Sequence, residues 1–318
     1  MVLYDDMKWG ERMSRKMSGN LMLLLTALIW GTAFVAQSAG MDYIEPFTFG
    51  VVRNLIGGVV LIPAVWIFRH LKPVSERPSK AEQTEINRNS IRGGIVCGLV
   101  YCFAGAFQQY GISMTTAGKA GFITALYIVI VPLLGIFIRK KIPRVMWLCI
   151  AIAVVGFYLL CVNEEFRVSK GDWLVLCCAF FYSLHIMVID YFNGKNTDGV
   201  MMSSVQFLVG GGLQILPMLA FESPNLSAIW DARLTLFYTG VMSSGVAYTL
   251  QILAQRRTDP TTATLLMSLE SVFAALSGCL ILHESLSGKE ILGCILVFAA
   301  VLLAQIPIPN RKQADAAK

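Results

Sequence analysis

Ten apolar stretches, each about 20 residues long, dominate this 318-residue chain, and about 20 residues is what a helix needs to cross a hydrocarbon core. They run 20–38, 46–68, 93–113, 119–138, 144–162, 171–190, 200–220, 233–254, 261–282 and 288–307. Hydrophobic residues make up 56% of the chain and charged residues only 14%, against roughly 45–50% and about 25% in a soluble domain. A water-soluble fold has too little interior to hide that much apolar surface. Lipid must act as solvent for much of the chain. The expected fold is an all-α integral membrane protein with ten transmembrane helices.

The connections are short and polar, except for 69–92, where Lys72-Pro73, Glu76-Arg77-Pro78 and Glu82-Gln83-Thr84-Glu85 read as a solvated cytoplasmic loop. A net charge of +6 raises nucleic-acid binding as an idea, but the basic residues sit in short clusters between apolar runs, the topogenic pattern of a membrane protein. With the N-terminus inside, 20 of the 26 Lys and Arg residues fall on the cytoplasmic side, five fall outside, and Arg53 is left within a span. That bias satisfies the positive-inside rule only with ten spans in this register, and places both termini in the cytoplasm. Segment 1–19 has the polar, basic look of a signal-peptide n-region. Nine apolar stretches follow the first, so an uncleaved first helix is the better reading. The eight cysteines all lie in apolar runs with no metal-ligand spacing, and read as small hydrophobes in helices.

The two halves resemble each other. Tyr110–Gly135 aligns without a gap onto Leu253–Gly278, pairing Ala120 with Ala263, Leu126 with Leu269 and Gly135 with Gly278. Phe49–Gly58 likewise matches Met202–Gly211, pairing Gly57-Gly58 with Gly210-Gly211. Two units of five spans follow, 20–162 and 163–307, flanked by cytoplasmic segments 1–19 and 308–318. Five is odd, so the second unit enters the membrane from the opposite side. Inverted repeats of this kind build many secondary transporters, with the substrate near the midplane at the repeat interface.

Several motifs carry a family resemblance. Leu28-Ile-Trp30-Gly31-Thr32-Ala-Phe34, Pro46-Phe-Thr-Phe49 followed by Arg53, Ser268-Leu-Glu270-Ser-Val-Phe273-Ala-Ala-Leu, and Leu282-His-Glu284-Ser-Leu286 before Gly293 stand in order. Over roughly residues 20 to 306 the chain resembles the ten-helix EamA family of the drug/metabolite transporter superfamily. Ser271 stands where that family often has proline, so a proline hinge in the ninth helix is not assumed. The resemblance implies a basket of two inverted five-helix repeats around a central cavity. It also implies export of metabolites, amino acids or drugs across the cytoplasmic (inner) membrane. The implied partners are a small-molecule substrate, membrane lipid and protons as coupling ion, with a monomer or homodimer as the working unit. No cofactor, metal or nucleic acid is expected.

Charged side chains in a bilayer cost several kcal/mol unless they face a cavity or a partner, which makes them the most visible functional candidates. Arg53 either attracts an anionic substrate group and holds a gate, or snorkels and pairs near the cytoplasmic half as a helix-binding residue. Glu270, mid-way along the ninth span, carries a coupling proton or makes a helix-packing hydrogen bond. His185, deep in the sixth span, suits proton relay or substrate binding. Asp190 lies five residues on, about 140° around the helix, so the two do not make a simple pair. The expected substrate cavity is formed by Trp30, Gln108, Tyr127, Tyr182, His185, Tyr248 and Gln251, with Glu270, His185 and Arg53 as coupling or gating residues. Gln108 and Gln251 correspond under the repeat, as amides that orient a polar ligand would; amides also hold membrane helices together. Gln37, Gln109, Gln206 and Ser268 complete the polar set. Gly94-x-x-x-Gly98 and Gly210-Gly211-Gly212 read as close-packing surfaces, and Pro132 and Pro217 as kinks.

No GxxxxGKS/T loop is present, which disfavours ATP-driven transport by this chain. There is no HExxH, Asp-rich diphosphate motif or GxSxG elbow, and His70, His185 and His283 are scattered. That weakens the alternative of a membrane-embedded group-transfer enzyme. An importer or exchanger of the same fold stays open.

Overall fold

The computed structural model describes residues 2–71, 77–115, 117–139, 142–161, 169–281 and 287–305. These residues form helices joined by short turns, and no strand occurs among them. Seven helical stretches are long and apolar enough to cross a membrane: Met17–Gly40, Pro46–Leu71, Lys80–Ile112, Ala120–Phe137, Lys170–Asn193, Gly199–Phe221 and Pro260–Ile281. Two shorter apolar helices, Arg144–Leu159 and Ile291–Ala304, accompany them. The stretch 233–254 is helical but irregular, passing through a π-helical segment, Tyr238–Ala247.

In chain order the elements are α1 (Val2–Gly40), α2 (Pro46–Leu71), α3 (Lys80–Ile112), α4 (Ala117–Thr124), α5 (Tyr127–Phe137), α6 (Arg144–Cys161) and α7 (Lys170–Asn193). They continue with α8 (Gly199–Phe221), α9 (Leu226–Asp231), α10 (Arg233–Phe237), the π segment, α11 (Tyr248–Ala254), α12 (Pro260–Met267), α13 (Glu270–Ile281) and α14 (Gly288–Gln305). Side chains such as Leu216, Leu280 and Phe137 point outward, 72%, 79% and 85% exposed. Such a surface is at home in hydrocarbon and not in water.

The polar stretch 69–92 is less of a loop than its composition suggests. α2 runs on to Leu71, and α3 starts at Lys80. The start is a reciprocal cap: the Glu82 N–H donates to Ser79 Oγ and the Ser79 N–H to the Glu82 carboxylate, at 3.3 and 2.8 Å. Two orphan donors of the first turn are satisfied this way, and the same bonds hold the Glu82 carboxyl below its ordinary range. At 33 residues and about 1.5 Å per residue, α3 outruns the bilayer core and stands in solvent at its start.

Two spans are each interrupted by a tight turn in which i→i−3 hydrogen bonds replace the regular i→i−4 ladder, Leu126 N to Ile123 O at 3.2 Å and Leu269 N to Leu266 O at 3.3 Å. α4 stops at Thr124 and α5 starts at Tyr127; α12 stops at Met267 and α13 starts at Glu270. The aligned pair Leu126 and Leu269 sits in the two breaks. A proline is not needed for the second break, since Ser271 follows it. The Ser271 hydroxyl donates instead to the Gly121 carbonyl at 3.0 Å, tying the two broken helices together. Pro132 and Pro217 lie inside α5 and α8, as does Pro63 inside α2.

Small residues set the closest approaches. A Cβ on Gly94 would fall 2.9 Å from the Met202 carbonyl, and one on Gly98 would fall 2.7 Å from that of Gln206, so α3 lies directly on the α8 backbone. Gly210 faces Tyr101 and Gly211 faces Asn54, whereas Gly212 has no neighbour within 4 Å.

At the opposite end of α2, buried Glu222 beyond α8 accepts hydrogen bonds from Phe47 N and Thr48 N at 2.7 Å each, and from Thr48 Oγ1 at 2.8 Å. A carboxylate there complements both the unpaired N–H groups and the positive end of the helix. Glu222→Ala is expected to cost about 1–3 kcal/mol, read as a lower melting temperature in detergent, with Glu222→Gln intermediate.

Candidate functional site

Helices α1, α2, α3 and α7 meet the π segment, α11 and the two broken helices around a central cavity. Its wall contains Trp30, Gln37, Arg53, Gln108, Thr124, Tyr127, Tyr182, Ser243, Tyr248, Gln251 and Glu270. The free space in it is about 30 Å³, enough for water but not for a metabolite. Helices would have to part to admit a larger ligand.

Arg53 is 3% exposed. Its guanidinium donates from Nη1 to Gln37 Oε1 and from Nη2 to Tyr101 OH at 2.9 Å. The Tyr101 hydroxyl passes its own proton to Asn54 Oδ1 at 3.0 Å. Arg53 therefore neither snorkels nor pairs with a carboxylate among the described residues. It is pinned by neutral partners with its charge at the cavity wall, which is the costly placement that a cavity justifies.

A second chain of bonds crosses the cavity. Tyr248 OH donates to Tyr182 OH at 2.9 Å, Tyr182 OH to Gln108 Oε1 at 3.1 Å, and Gln108 Nε2 reaches Thr124 Oγ1 at 3.5 Å. Trp30 packs on the Tyr248 ring with centroids 4.6 Å apart. At the wall, Gln251 Oε1 and Trp30 Nε1 are buried without a hydrogen-bond partner among the described residues. Buried polar atoms in that condition ask for a ligand or water.

Glu270 is 2% exposed and accepts from Tyr127 OH at 2.7 Å. These are the first residues of α13 and α5, and the Leu126–Leu269 alignment makes them equivalents. Two matched helix breaks thus meet through one hydrogen bond at the cavity wall. The π segment supplies Ser243 to the same wall, and its Tyr238 hydroxyl bonds to Thr32 of α1. Wide helical turns of this kind occur frequently at functional sites.

Six of the seven residues expected to form the cavity line it, together with Arg53 and Glu270. His185 does not reach the wall. It is fully buried behind the rings of Tyr101, Tyr182 and Tyr248, with Nε2 3.0 Å from Gln206 Oε1. Gln206 gives only Oε1 to that contact, Gln109 Nε2 faces Met41 Sδ at 3.2 Å, and Ser268 bonds back to the Leu265 carbonyl at 2.7 Å between α12 and α13. None of these three lines the cavity. Tyr101 and Asn54, which steady Arg53, were not among the candidates. A signal for Tyr101 exists: it lies seven residues, close to two turns, from Gln108 on the same helix face. No group of three or more potential metal ligands occurs among the described residues. His283 and Glu284 lie outside them.

Apolar helices surrounding a polar, aromatic-walled cavity define a helical multi-pass membrane protein. The profile of the EamA-like transporter family matches residues 17–162 and 169–305. The chain belongs to that family, and is a membrane transporter. An "uncharacterized transporter" of Archaeoglobus fulgidus is 27% identical over 315 residues, covering 96% of this chain and 92% of that protein. The "uncharacterized transporter YoaV" of Bacillus subtilis is 22% identical, covering 92% and 98%. A crystal structure aligns with a TM-score of 0.71 at 17% identity over 91% of this chain and 97% of that one, a likeness of fold alone.

Proposed function

We propose that this protein is a secondary transporter exporting small metabolites, such as amino acids or amphipathic organic compounds, across the cytoplasmic membrane by alternating access. Its ten spans form two inverted five-helix repeats with both termini in the cytoplasm. The observation that carries the reading is the Tyr127–Glu270 hydrogen bond, 2.7 Å long, joining equivalent helix breaks beside a cavity that also holds Arg53. Many carriers place substrate and coupling ion at mid-membrane where helices depart from regular geometry at the repeat interface, and ionisable groups stand at these two interruptions.

Packing supports the repeat. α3 lies on α7 as α1 lies on the π segment and α11; α3 lies on α8 as α2 lies on the π segment. The equivalents α2 and α8 pack together, as do α6 and α14. The profile matching in two consecutive segments supports the same division. Chemistry supports an amphipathic ligand: Arg53 suits a carboxylate or other anion, Glu270 a proton or amine, and Trp30, Tyr182 and Tyr248 an apolar body.

Flux of labelled candidate substrates into and out of proteoliposomes, with and without a pH gradient, tests the proposal. Group transfer or hydrolysis without net flux would favour the enzyme alternative, and gradient-driven movement inward in the cell an importer. Arg53→Gln is expected to lower flux of a carboxylate-bearing substrate by about tenfold or more, the effect of losing one charge-assisted contact, with a smaller change for a neutral analogue. Equal losses for both would remove Arg53 from substrate binding.

A further inference from the structure

A second cavity, a cleft of about 570 Å³, opens at the end of the helices where α2 meets α3 and where the α7–α8 connection meets the end of α11. The basic-residue count puts this end in the cytoplasm. Arg69, His70, Arg77 and Arg256 line it, against Asp198 as the one carboxylate among the described residues that do. Positive charge at a cytoplasmic surface is ordinary; its convergence into a shaped cleft is not.

The arginines are held in place. Arg69 Nε pairs with Asp198 Oδ2 at 3.1 Å while Nη2 donates to Asn87 Oδ1 at 2.8 Å. Arg256 Nε donates to Asn193 Oδ1 at 3.0 Å, and Nη2 to the Thr197 carbonyl at 2.6 Å. Both side chains are fixed on one edge, and Nη1 of each has no protein acceptor among the described residues. The charge of Asp198 is already committed, because it also caps α8 through Val200 N and Met201 N at 3.1 and 3.2 Å. The hydrogen-bond acceptors of Arg256 are neutral, Asn193 and Thr197, with the Asp198 carboxylate near enough to act on its charge. An arginine immobilised through Nε and Nη2, with Nη1 left to donate, is pre-organised for an oxyanion. The volume falls in the range of about 300–1,000 Å³ typical of ligand sites.

We propose that this cleft is a binding site for a phosphate-bearing anion, with Arg69, Arg77 and Arg256 as its cationic ligands, separate from the central cavity. The phosphate comes from one of two sources, an anionic phospholipid headgroup or a soluble phosphate compound. The cleft adjoins Trp66 and Phe68 on α2, 63% and 57% exposed, as suits a headgroup site at the membrane surface. The proposal does not depend on what the central cavity carries.

The test uses the purified full-length protein. In one arm, native mass spectrometry follows retention of phosphatidylglycerol against phosphatidylcholine from mixed nanodiscs. In the other, thermal unfolding in detergent is followed with inorganic phosphate or pyrophosphate against chloride at equal ionic strength. Selective retention of phosphatidylglycerol identifies the lipid source; stabilisation by the free anions identifies the soluble one. In whichever arm responds, Arg256→Gln is expected to weaken apparent affinity by about tenfold, with Arg256→Lys in between. Arg77→Gln, at an exposed side chain, provides the same reading should Arg256→Gln unfold. Binding in neither arm, or binding that these substitutions leave unchanged, overturns the proposal.

Discussion

Glu270→Gln is expected to lower proton-gradient-driven flux by at least about tenfold, equivalent to about 1.4 kcal/mol, while leaving the protein folded. The amide keeps a carbonyl oxygen where the carboxylate now accepts from Tyr127 OH at 2.7 Å, so the contact between the two broken helices survives. What is lost is a group that can take up and release a proton. Downhill exchange of substrate, which needs no proton, is expected to persist in the variant. Proteoliposome flux across a range of pH, with size-exclusion profiles as the fold control, separates the two roles of the side chain. If the pH-dependence of flux is the same in wild type and variant, Glu270 is a packing residue. Tyr127→Phe provides the complement, since it removes the hydrogen bond and keeps the carboxyl.

Gly31→Val is expected to lower stability and flux together. A Cβ at Gly31 would sit 2.5 Å from Phe273 Cβ, 2.7 Å from the Glu270 carbonyl and 2.8 Å from Ala274 N. Two of those atoms are α13 backbone and cannot swing aside. α1 and α13 must therefore separate, and overpacking of this kind costs typically about 1–3 kcal/mol. The displaced segment includes Glu270, so flux should fall even in the fraction that folds. Gly212 is the control, because nothing lies within 4 Å of a Cβ built there. Gly212→Val should leave the melting temperature close to that of the wild type, whereas Gly31→Val lowers it markedly. Equal behaviour of the two variants would mean that helix propensity, rather than close approach, governs both sites.

Much of the site was legible because few polar residues occur within long apolar runs. Gln108, Gln251, Tyr127, Tyr182, Tyr248 and Glu270 stood out against hydrocarbon-like surroundings, and such residues must find a cavity or a partner. His185 stood out by the same logic but found the partner, Gln206, and not the cavity. Composition cannot distinguish these outcomes, because both satisfy the same energetic demand. Arg53 was ambiguous for a related reason: its long side chain can reach a membrane surface or turn inward, and Gln37 with Tyr101 decides the direction. The loop reading of 69–92 weighed polarity above the Ser79-x-x-Glu82 cap, a local signal that starts a helix in solvent as readily as in lipid.

The amino-acid sequence alone determined that this chain is helical and lipid-embedded, because its apolar runs are too long and too many for water. It also determined which segments match between the halves, and the small residues at which helices can touch. Only the tertiary structure decided where the helices break, which way Arg53 points, and that Tyr127 and Glu270 meet. A helix break and a side-chain direction depend on hydrogen bonds to residues far along the chain, such as Ser271 to Gly121. Local preference is weak against such partners where no water competes for them.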